Sequence, residues 1–296
     1  MIESFFAALP NGIRLSCRAA GAPDAPVLLF LHGFPEGAFV WDELLAHFAP
    51  RYRCIAPNLR GYEASSAPAE VEAYRTKHLV ADVAALIDQL GSGPVEALVA
   101  HDWGGAVAWN VAAQHRQKLK RLVIVNSPHP AIFLRELQHN PAQQAASAYM
   151  NFLRRPDAEV RLVQNDFARM WSFLQGDWLT DAVKAQYRAV WQHGLHGPVN
   201  FYRASPLYPP TPDDQAPMRL QFPPEFATVR VPTHVIWGDA DTALLPGLLD
   251  GLDSYVPSMT LARIAQASHW VIHEQPARVA QEIEAALGRN APQTTT

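Results

Sequence analysis

The residues best suited to covalent chemistry lie in Ala100-His101-Asp102-Trp103-Gly104-Gly105, which follows a short apolar run and opens a helical pattern. Ala100, Gly104 and Gly105 are small, as a tight strand-to-helix turn requires where neighbouring backbone approaches a strained residue at the apex. The pattern is a nucleophile elbow with Asp102 at its tip. The free N–H groups and dipole of the helix start favour a carboxylate there as an anion, so it needs no base to become nucleophilic. An Asp at such a place is often only an N-cap, and residues farther along the chain bear on the choice. The elbow scheme expects an acid and then a histidine after the nucleophile. The chain supplies Asp239 or Asp241 after the apolar run 233–237, then His269 in Ser268-His269-Trp270 after Met259–Ile264. Asp241 sits farther into its loop and is favoured to reach back to His269, which leaves Asp239 to a turn or cap.

His32-Gly33-Phe34-Pro35 directly follows the run Val27–Leu31. Its backbone at Phe34, together with the N–H of Trp103, would form an oxyanion hole, with Gly33 permitting close approach and Pro35 setting the turn, for which a cis bond is one option. A Ser nucleophile attacking saturated carbon would end as an ether, whereas a carboxylate leaves an ester whose carbonyl water can attack. Asp102 therefore points to displacement at an sp³ carbon, and His269 to activation of water in a second step. Asp241 would orient His269 and stabilise its cation. His273 lies four residues beyond His269, but no third ligand or His-Glu-x-x-His pattern accompanies the pair, so no metal is expected. No cofactor is expected either. A Ser esterase would need Gly-x-Ser-x-Gly, which the chain lacks, and a mere ligand-binding homologue would be expected to have lost one of the three groups.

These loops need a framework. Continuous apolar runs at Val27–Leu31, 54–57, 95–100 and Leu122–Val125 suit strands buried on both faces of a parallel sheet. Helical patterns separate them, the clearest over Thr76–Leu90, where Leu79, Val80, Val83, Leu86, Ile87 and Leu90 share a face and Gly91 is placed to end it. This alternation predicts a doubly wound α/β core, preceded by a hairpin of 5–9 and 13–18 around Asn11-Gly12. From about 128 to 228 the strand pattern stops, and stretches rich in Trp, Tyr, Arg and Gln take its place. It resumes at 233–237 and Met259–Ile264 and closes with a helix over 276–287, Pro276 suiting the first turn. The chain therefore reads as one core, residues 1–128 and 229–296, with residues 129–228 inserted. Eight of its 25 prolines fall between Pro206 and Pro232, on the return from the insertion.

Composition narrows the partners. The 296 residues, 49% hydrophobic and 18% charged, are ample for a large core. A net charge of −4 gives no basic surface for nucleic acid. Two cysteines, Cys17 and Cys54, form no metal or redox motif and read as reduced thiols. The absence of a leader pattern or long apolar span suggests a cytoplasmic protein without a membrane segment. Oligomeric state is not readable.

The motifs His32-Gly33-Phe34-Pro35, Arg60-Gly61-Tyr62, His101-Asp102-Trp103-Gly104-Gly105 and Ser268-His269-Trp270 resemble those of α/β-hydrolase-fold epoxide hydrolases and their dehalogenase relatives. The resemblance spans nearly the whole chain and is weakest in the insertion. It implies that 129–228 is a helical cap over the active site, and that two cap tyrosines serve an opening epoxide. The candidates are Tyr149, in Tyr149-Met150-Asn151-Phe152, and Tyr202, in Asn200-Phe201-Tyr202-Arg203. Phenols can protonate or hydrogen-bond an alkoxide without titrating at neutral pH. Halide departure would call for N–H donors instead, and Phe34 offers none from its side chain. Fluoroacetate-type relatives carry Arg after the nucleophile and a cap His-Trp pair, whereas Trp103, Tyr149 and Met150 stand here. The implied substrate is a small apolar epoxide, with a haloalkane or haloacetate as the alternative. Trp103, Phe34, Tyr149 and Tyr202 would contact it, and Trp171, Phe173, Trp178 and Trp191 are candidates for either the pocket or the core. The chain departs from the pattern at Asn58, usually Asp, at Glu63, usually Gly, and at Ser268, usually Gly.

Overall fold

The computed structural model describes residues 1–91, 93–223 and 227–288. Eight strands form one sheet: β1 (Glu3–Ala8), β2 (Arg14–Ala20), β3 (Val27–Leu31), β4 (Arg53–Pro57), β5 (Ala97–His101), β6 (Leu122–Val125), β7 (Thr233–Gly238) and β8 (Met259–Ile264). Their order is β1-β2-β4-β3-β5-β6-β7-β8, antiparallel for β1–β2 and β2–β4 and parallel from β4 onward. The apolar runs account for this. Every residue of β3, β5, β6 and β7 is buried, as continuous Val, Leu and Ile runs allow only where helices cover both faces. β1, with mostly exposed residues, is an edge strand.

Three helices of the first half matter to the site: α1 (Asp42–Phe48), α2 (Thr76–Leu90) and α3 (Asp102–Gln114). α2 begins and ends where its periodicity says, and Gly91 closes it in the left-handed conformation at φ 69°. One feature of α2 escapes the apolar pattern: Asp82 is buried on its inward side and holds Arg60 through two 2.7 Å hydrogen bonds. The final helix, Pro276–Gly288, starts at its proline and packs with α1. Residues 289–296, placed in the core on sequence, lie outside the described residues, as does Pro224 of the proline cluster.

The fifth strand begins two residues later than its apolar run suggests and ends one residue later. Val95 makes an isolated bridge to Leu119, and β5 continues through His101, whose side chain is fully buried. Asp102 is thus the first helical residue immediately after the last strand residue, with no linker between them. Between β6 and β7 the described residues form seven short α-helices, from Pro130–His139 to His196–Ala204. Tyr149 opens one of them, Tyr149–Leu153, and Tyr202 lies on the last. Cys17 and Cys54 are buried and unbridged, burial pushing both thiols up to about 12. No helix among the described residues is long and apolar enough to cross a membrane.

Candidate active site

Asp102 carries a positive φ of 47°, a conformation that costs a non-glycine residue on the order of 1–3 kcal/mol and persists only where its surroundings enforce it. The enforcement comes from two directions. Ser127 Oγ donates to the Asp102 carbonyl at 2.7 Å. The backbone of β3 passes so close that a Cβ on Gly104 would lie 2.4 Å from the Leu31 carbonyl, and one on Gly33 would lie 2.4 Å from Asp102 Cβ. The glycines of both motifs thus make room for one contact, the β3 loop against the elbow.

That contact distinguishes the two carboxylate oxygens. The Phe34 N–H donates to Asp102 Oδ1 at 2.8 Å, while Oδ2 faces His269 Nε2 at 3.7 Å. Phe34-Pro35 is a cis peptide. Trp103, in the first turn of α3, has a backbone N–H of the kind that no intrahelical carbonyl satisfies.

On its other side, His269 donates from Nδ1 to Asp241 Oδ2 at 2.7 Å. Asp241 is 3% exposed and fully occupied: Oδ1 accepts the Ala243 and Leu244 N–H groups at 2.8 Å, and Oδ2 also accepts from Asn126 Nδ2 at 2.8 Å. Asp239 instead meets Arg263 at 2.9 Å. Of the two acids open on sequence, the fold brings Asp241 to the histidine. Burial works against ionisation of Asp241, yet the charge and hydrogen bond of His269, the Leu244 N–H and the Asn126 amide together hold its carboxyl below the ordinary range. Burial likewise disfavours the His269 imidazolium. The charge and hydrogen bond of Asp241, with Asp102 and Glu36 behind them, outweigh it and hold His269 at about 9.

Glu36, Asn126 and Ser127 carry much of this geometry, and pattern reading passes over all three. Glu36 is fully buried, accepts the Gly33 N–H at 3.1 Å and meets His101 Nδ1 at 2.9 Å. His101 Nε2 in turn meets the His269 carbonyl at 2.9 Å. Glu36 therefore ties the oxyanion-type loop, the elbow strand and the histidine loop together, and although burial opposes its ionisation, His101 and His273 keep its carboxyl well below the usual range. Asn126 binds both the N–H and the carbonyl of Gly238 as well as Asp241, which positions the acid loop from the end of β6. The available signals were position alone: an acid directly after His-Gly-Phe-Pro, and polar residues at the carboxyl end of a buried parallel strand.

The remaining residues fall into place around this centre. Tyr202 is buried edge-on against Phe34 and Trp103, with ring centroids 5.2 and 5.1 Å away, and Tyr149 lies 6.2 Å from Tyr202. Burial, reinforced by Asp102 and Asp241, pushes the Tyr149 phenol up. Burial, with Tyr149 and Asp102 next, does the same to Tyr202. His273 meets Glu36 at 3.5 Å and the Tyr187 hydroxyl at 2.9 Å rather than joining His269. Among the four candidates Trp171, Phe173, Trp178 and Trp191, Phe173 lines the space beside Asp102 and His269. Trp191 is core, bonded to the Pro35 carbonyl at 2.7 Å; Trp171 packs on Trp191; and Trp178 stacks on His273 at 4.2 Å. The three departures from the motifs have local work. Asn58 accepts the Ala38 N–H at 2.7 Å, Glu63 takes a positive φ of 48° where a glycine is usual, and Ser268 Oγ bonds Glu274 at 2.6 Å while accepting the Trp270 N–H at 3.1 Å.

Two cavities, of about 200 and 230 Å³, share Asp102, Tyr149 and Tyr202 as walls. The first is apolar, with Leu79, Val107, Phe133, Met150 and Leu207; the second carries Phe34, Phe173 and His269. The arrangement can hold an apolar molecule across a carboxylate, with two phenols and a histidine at the same point.

Comparison with known proteins identifies the family. The pattern of the α/β hydrolase fold family matches residues 26–276. Mouse epoxide hydrolase 4 is 31% identical over 90% of this chain and 74% of its own length. The crystal structure of a Bacillus megaterium epoxide hydrolase in complex with an inhibitor superposes with a TM-score of 0.89 at 30% identity, covering 96% of this chain and all of that one. A structure of epoxide hydrolases from metagenomes of hot environments gives a TM-score of 0.89 at 39% identity, over 98% of this chain and all of its own. With the fold, the motifs and these likenesses extending over nearly its whole length, the chain belongs to the α/β-hydrolase-fold epoxide hydrolase family.

Proposed function

We propose that the protein hydrolyses an epoxide to a vicinal diol through an alkyl ester on Asp102. The observation that carries this reading is the Asp102 carboxylate itself, with Oδ1 on the Phe34 N–H and Oδ2 free toward His269. In the first step Oδ2 attacks a ring carbon, the C–O bond of the epoxide opens, and Tyr149 and Tyr202 hydrogen-bond the departing oxygen, one of them giving it a proton. In the second step His269 Nε2 takes a proton from water, whose oxygen adds to the ester carbonyl carbon. The charge that develops on Oδ1 falls to the N–H groups of Phe34 and Trp103. The tetrahedral intermediate expels the alkoxide, which takes the proton from His269. The carboxylic acid left on Asp102 ionises, and its proton restores the tyrosine. Asp241 keeps the imidazole oriented and stabilises its cation.

Esterification also activates the base. The Asp102 anion helps hold His269 protonated, and the ester removes that anion at the step when a neutral imidazole is needed. The substrate class favoured is an apolar epoxide with a substituent in each cavity, and residues 129–228 serve as the lid that closes over it. Two phenols opposite the nucleophile favour an opening epoxide over a departing halide, because the tethered alkoxide requires a proton and halide does not.

Purified protein assayed in parallel with styrene oxide-type epoxides, haloalkanes and haloacetate should form diol and release no halide. Halide release without diol would overturn the reading. In ¹⁸O-water a single turnover should label the Asp102 carboxylate and leave the first product unlabelled; direct labelling of that product would exclude the ester. Tyr202→Phe should slow ester formation, and an unchanged rate would remove Tyr202 from proton donation.

A further inference from the structure

The inserted helix Asp181–Gln192 buries three residues, Tyr187, Val190 and Trp191, whose spacing of i, i+3 and i+4 puts them on one face. That face rests on the chain that leaves the His32-Gly33-Phe34-Pro35 motif. Tyr187 meets Phe39 edge-on with ring centroids 4.9 Å apart, and a Cβ on Gly37 would lie 2.8 Å from Val190 Cγ2. Trp191 is 2% exposed and donates from its indole Nε1 to the Pro35 carbonyl at 2.7 Å. The acceptor belongs to the peptide group between Pro35 and Glu36, whose other end is also held, because the Glu36 N–H donates to the Gly33 carbonyl at 3.1 Å and closes a turn. Phe34 lies inside this turn, and its N–H is the donor to Asp102 Oδ1 at 2.8 Å. The closing peptide therefore cannot rotate without losing two hydrogen bonds, one of them to the insertion. A carbonyl that accepts a bond also polarises its peptide and strengthens the N–H of the same group, so the indole tightens the turn as well as fixing it.

We propose that Trp191 is a positioning residue for the oxyanion donor: its indole N–H, supplied by the insertion, holds the Phe34 N–H on Asp102 Oδ1. The kinetic consequence rests on the epoxide hydrolase reading and deepens it, since residues 129–228 then complete the anion site of the core rather than only covering the substrate. The two steps should feel this differently. Ester formation uses Oδ2 and the tyrosines while negative charge leaves the carboxylate, whereas charge gathers on Oδ1 when water adds to the ester. A donor to Oδ1 thus stabilises the second transition state and not the first. A Trp191 that served only as core packing would act otherwise. Loosening the insertion would displace Tyr149 and Tyr202 as well, and slow ester formation at least as much as ester hydrolysis.

Trp191→Phe removes the N–H but leaves a gap, so it is tested beside an isostere, 3-benzothienylalanine introduced at position 191, which keeps the ring's shape and has sulfur in place of the N–H. Single turnovers of styrene oxide, quenched and read by intact-protein mass, give the rates at which the ester forms and disappears. Loss of one oxyanion donor costs about 10²–10³ in rate and misplacing one costs less, so ester disappearance should slow roughly ten- to hundredfold in both proteins while ester formation stays within about threefold of native. Trp171→Phe is the control. Its ring packs on Trp191 at 4.4 Å, but its N–H goes to the Asp166 carbonyl at 2.9 Å, so the ratio of the two rates should stay native. An isostere that turns over as the native protein does, equal slowing of both steps, or the same selective loss in Trp171→Phe would each overturn the proposal and leave the epoxide hydrolase reading standing. Absence of any ester or diol from the native protein would count against that reading instead. The coupling is then decided without turnover, in protein labelled with ¹⁵N at phenylalanine: the Phe34 amide proton should move upfield in the isostere as its bond to Asp102 lengthens, and an unmoved resonance overturns the proposal.

Discussion

Replacing Asp102 by Asn isolates what the charge of the proposed nucleophile does to His269. The Oδ2 atom lies 3.7 Å from His269 Nε2. Opposite unit charges at that separation attract by about 4 kcal/mol at an effective dielectric of ~20 and about 1 kcal/mol at ~80. At ~1.4 kcal/mol per pKa unit, that is a shift of about three units down to somewhat under one. Removing a nearby anion disfavours the imidazolium, so the pKa must fall. From about 9 in the native protein it should arrive at roughly 6–8 in Asp102→Asn. The variant has the same local charge as the ester, so its titration reports the base as it stands in the second step. The measurement is an NMR titration of the His269 Cε1–H, assigned by its disappearance in His269→Gln. A pKa that stays near 9, or rises, would refute the argument that ester formation switches the base on.

Asp241→Asn should leave ester formation intact and slow ester hydrolysis by on the order of 10⁴, since an amide facing Nδ1 favours the wrong imidazole tautomer; the alkylated enzyme should accumulate and be visible by intact-protein mass. Gly33→Ala forces a Cβ to within 2.4 Å of Asp102 Cβ and 2.5 Å of Oδ1. It should lower stability by about 1–3 kcal/mol in urea titration and reduce turnover, because either the loop or Asp102 must move. Glu36→Gln keeps the size of a side chain that helps raise His269 but removes its charge. The inflection of ester hydrolysis with pH, followed in single turnovers, should move to lower pH; a merely structural role would reduce the rate and leave the inflection in place.

The parts of the molecule legible in the sequence are those set by local chemistry. The run Val27–Leu31 and the periodicity of Thr76–Leu90 specify β3 and α2, since the buried faces follow from spacing and the end from Gly91. Ala100 to Gly105 marks a tight turn, though the strand before it runs to His101 because its pairing with β6, His101 opposite Val125, extends beyond the apolar residues. Trp171, Phe173, Trp178 and Trp191 illustrate the limit. All are bulky aromatics in helix-like stretches, yet Phe173 faces the cavity, Trp191 is core and Trp178 is stacked on a histidine.

By itself the sequence determined the candidate groups, their order along the chain and the framework that carries them, because residue type, glycine placement and apolar periodicity act over a few neighbours. Only the tertiary structure decided between Asp241 and Asp239. The two are separated by one residue, and the choice depends on where β6 places Asn126 and how the loop after β8 returns His269. It also decided the fate of Glu36. A buried carboxylate is tolerable there because, beside the local Gly33 N–H, His101 and His273 arrive from a strand and a short helix far away in sequence to face it. The division follows from range. Helices, strands and turns answer to near neighbours, whereas a charged site answers to whatever the folded sheet brings within a few ångströms.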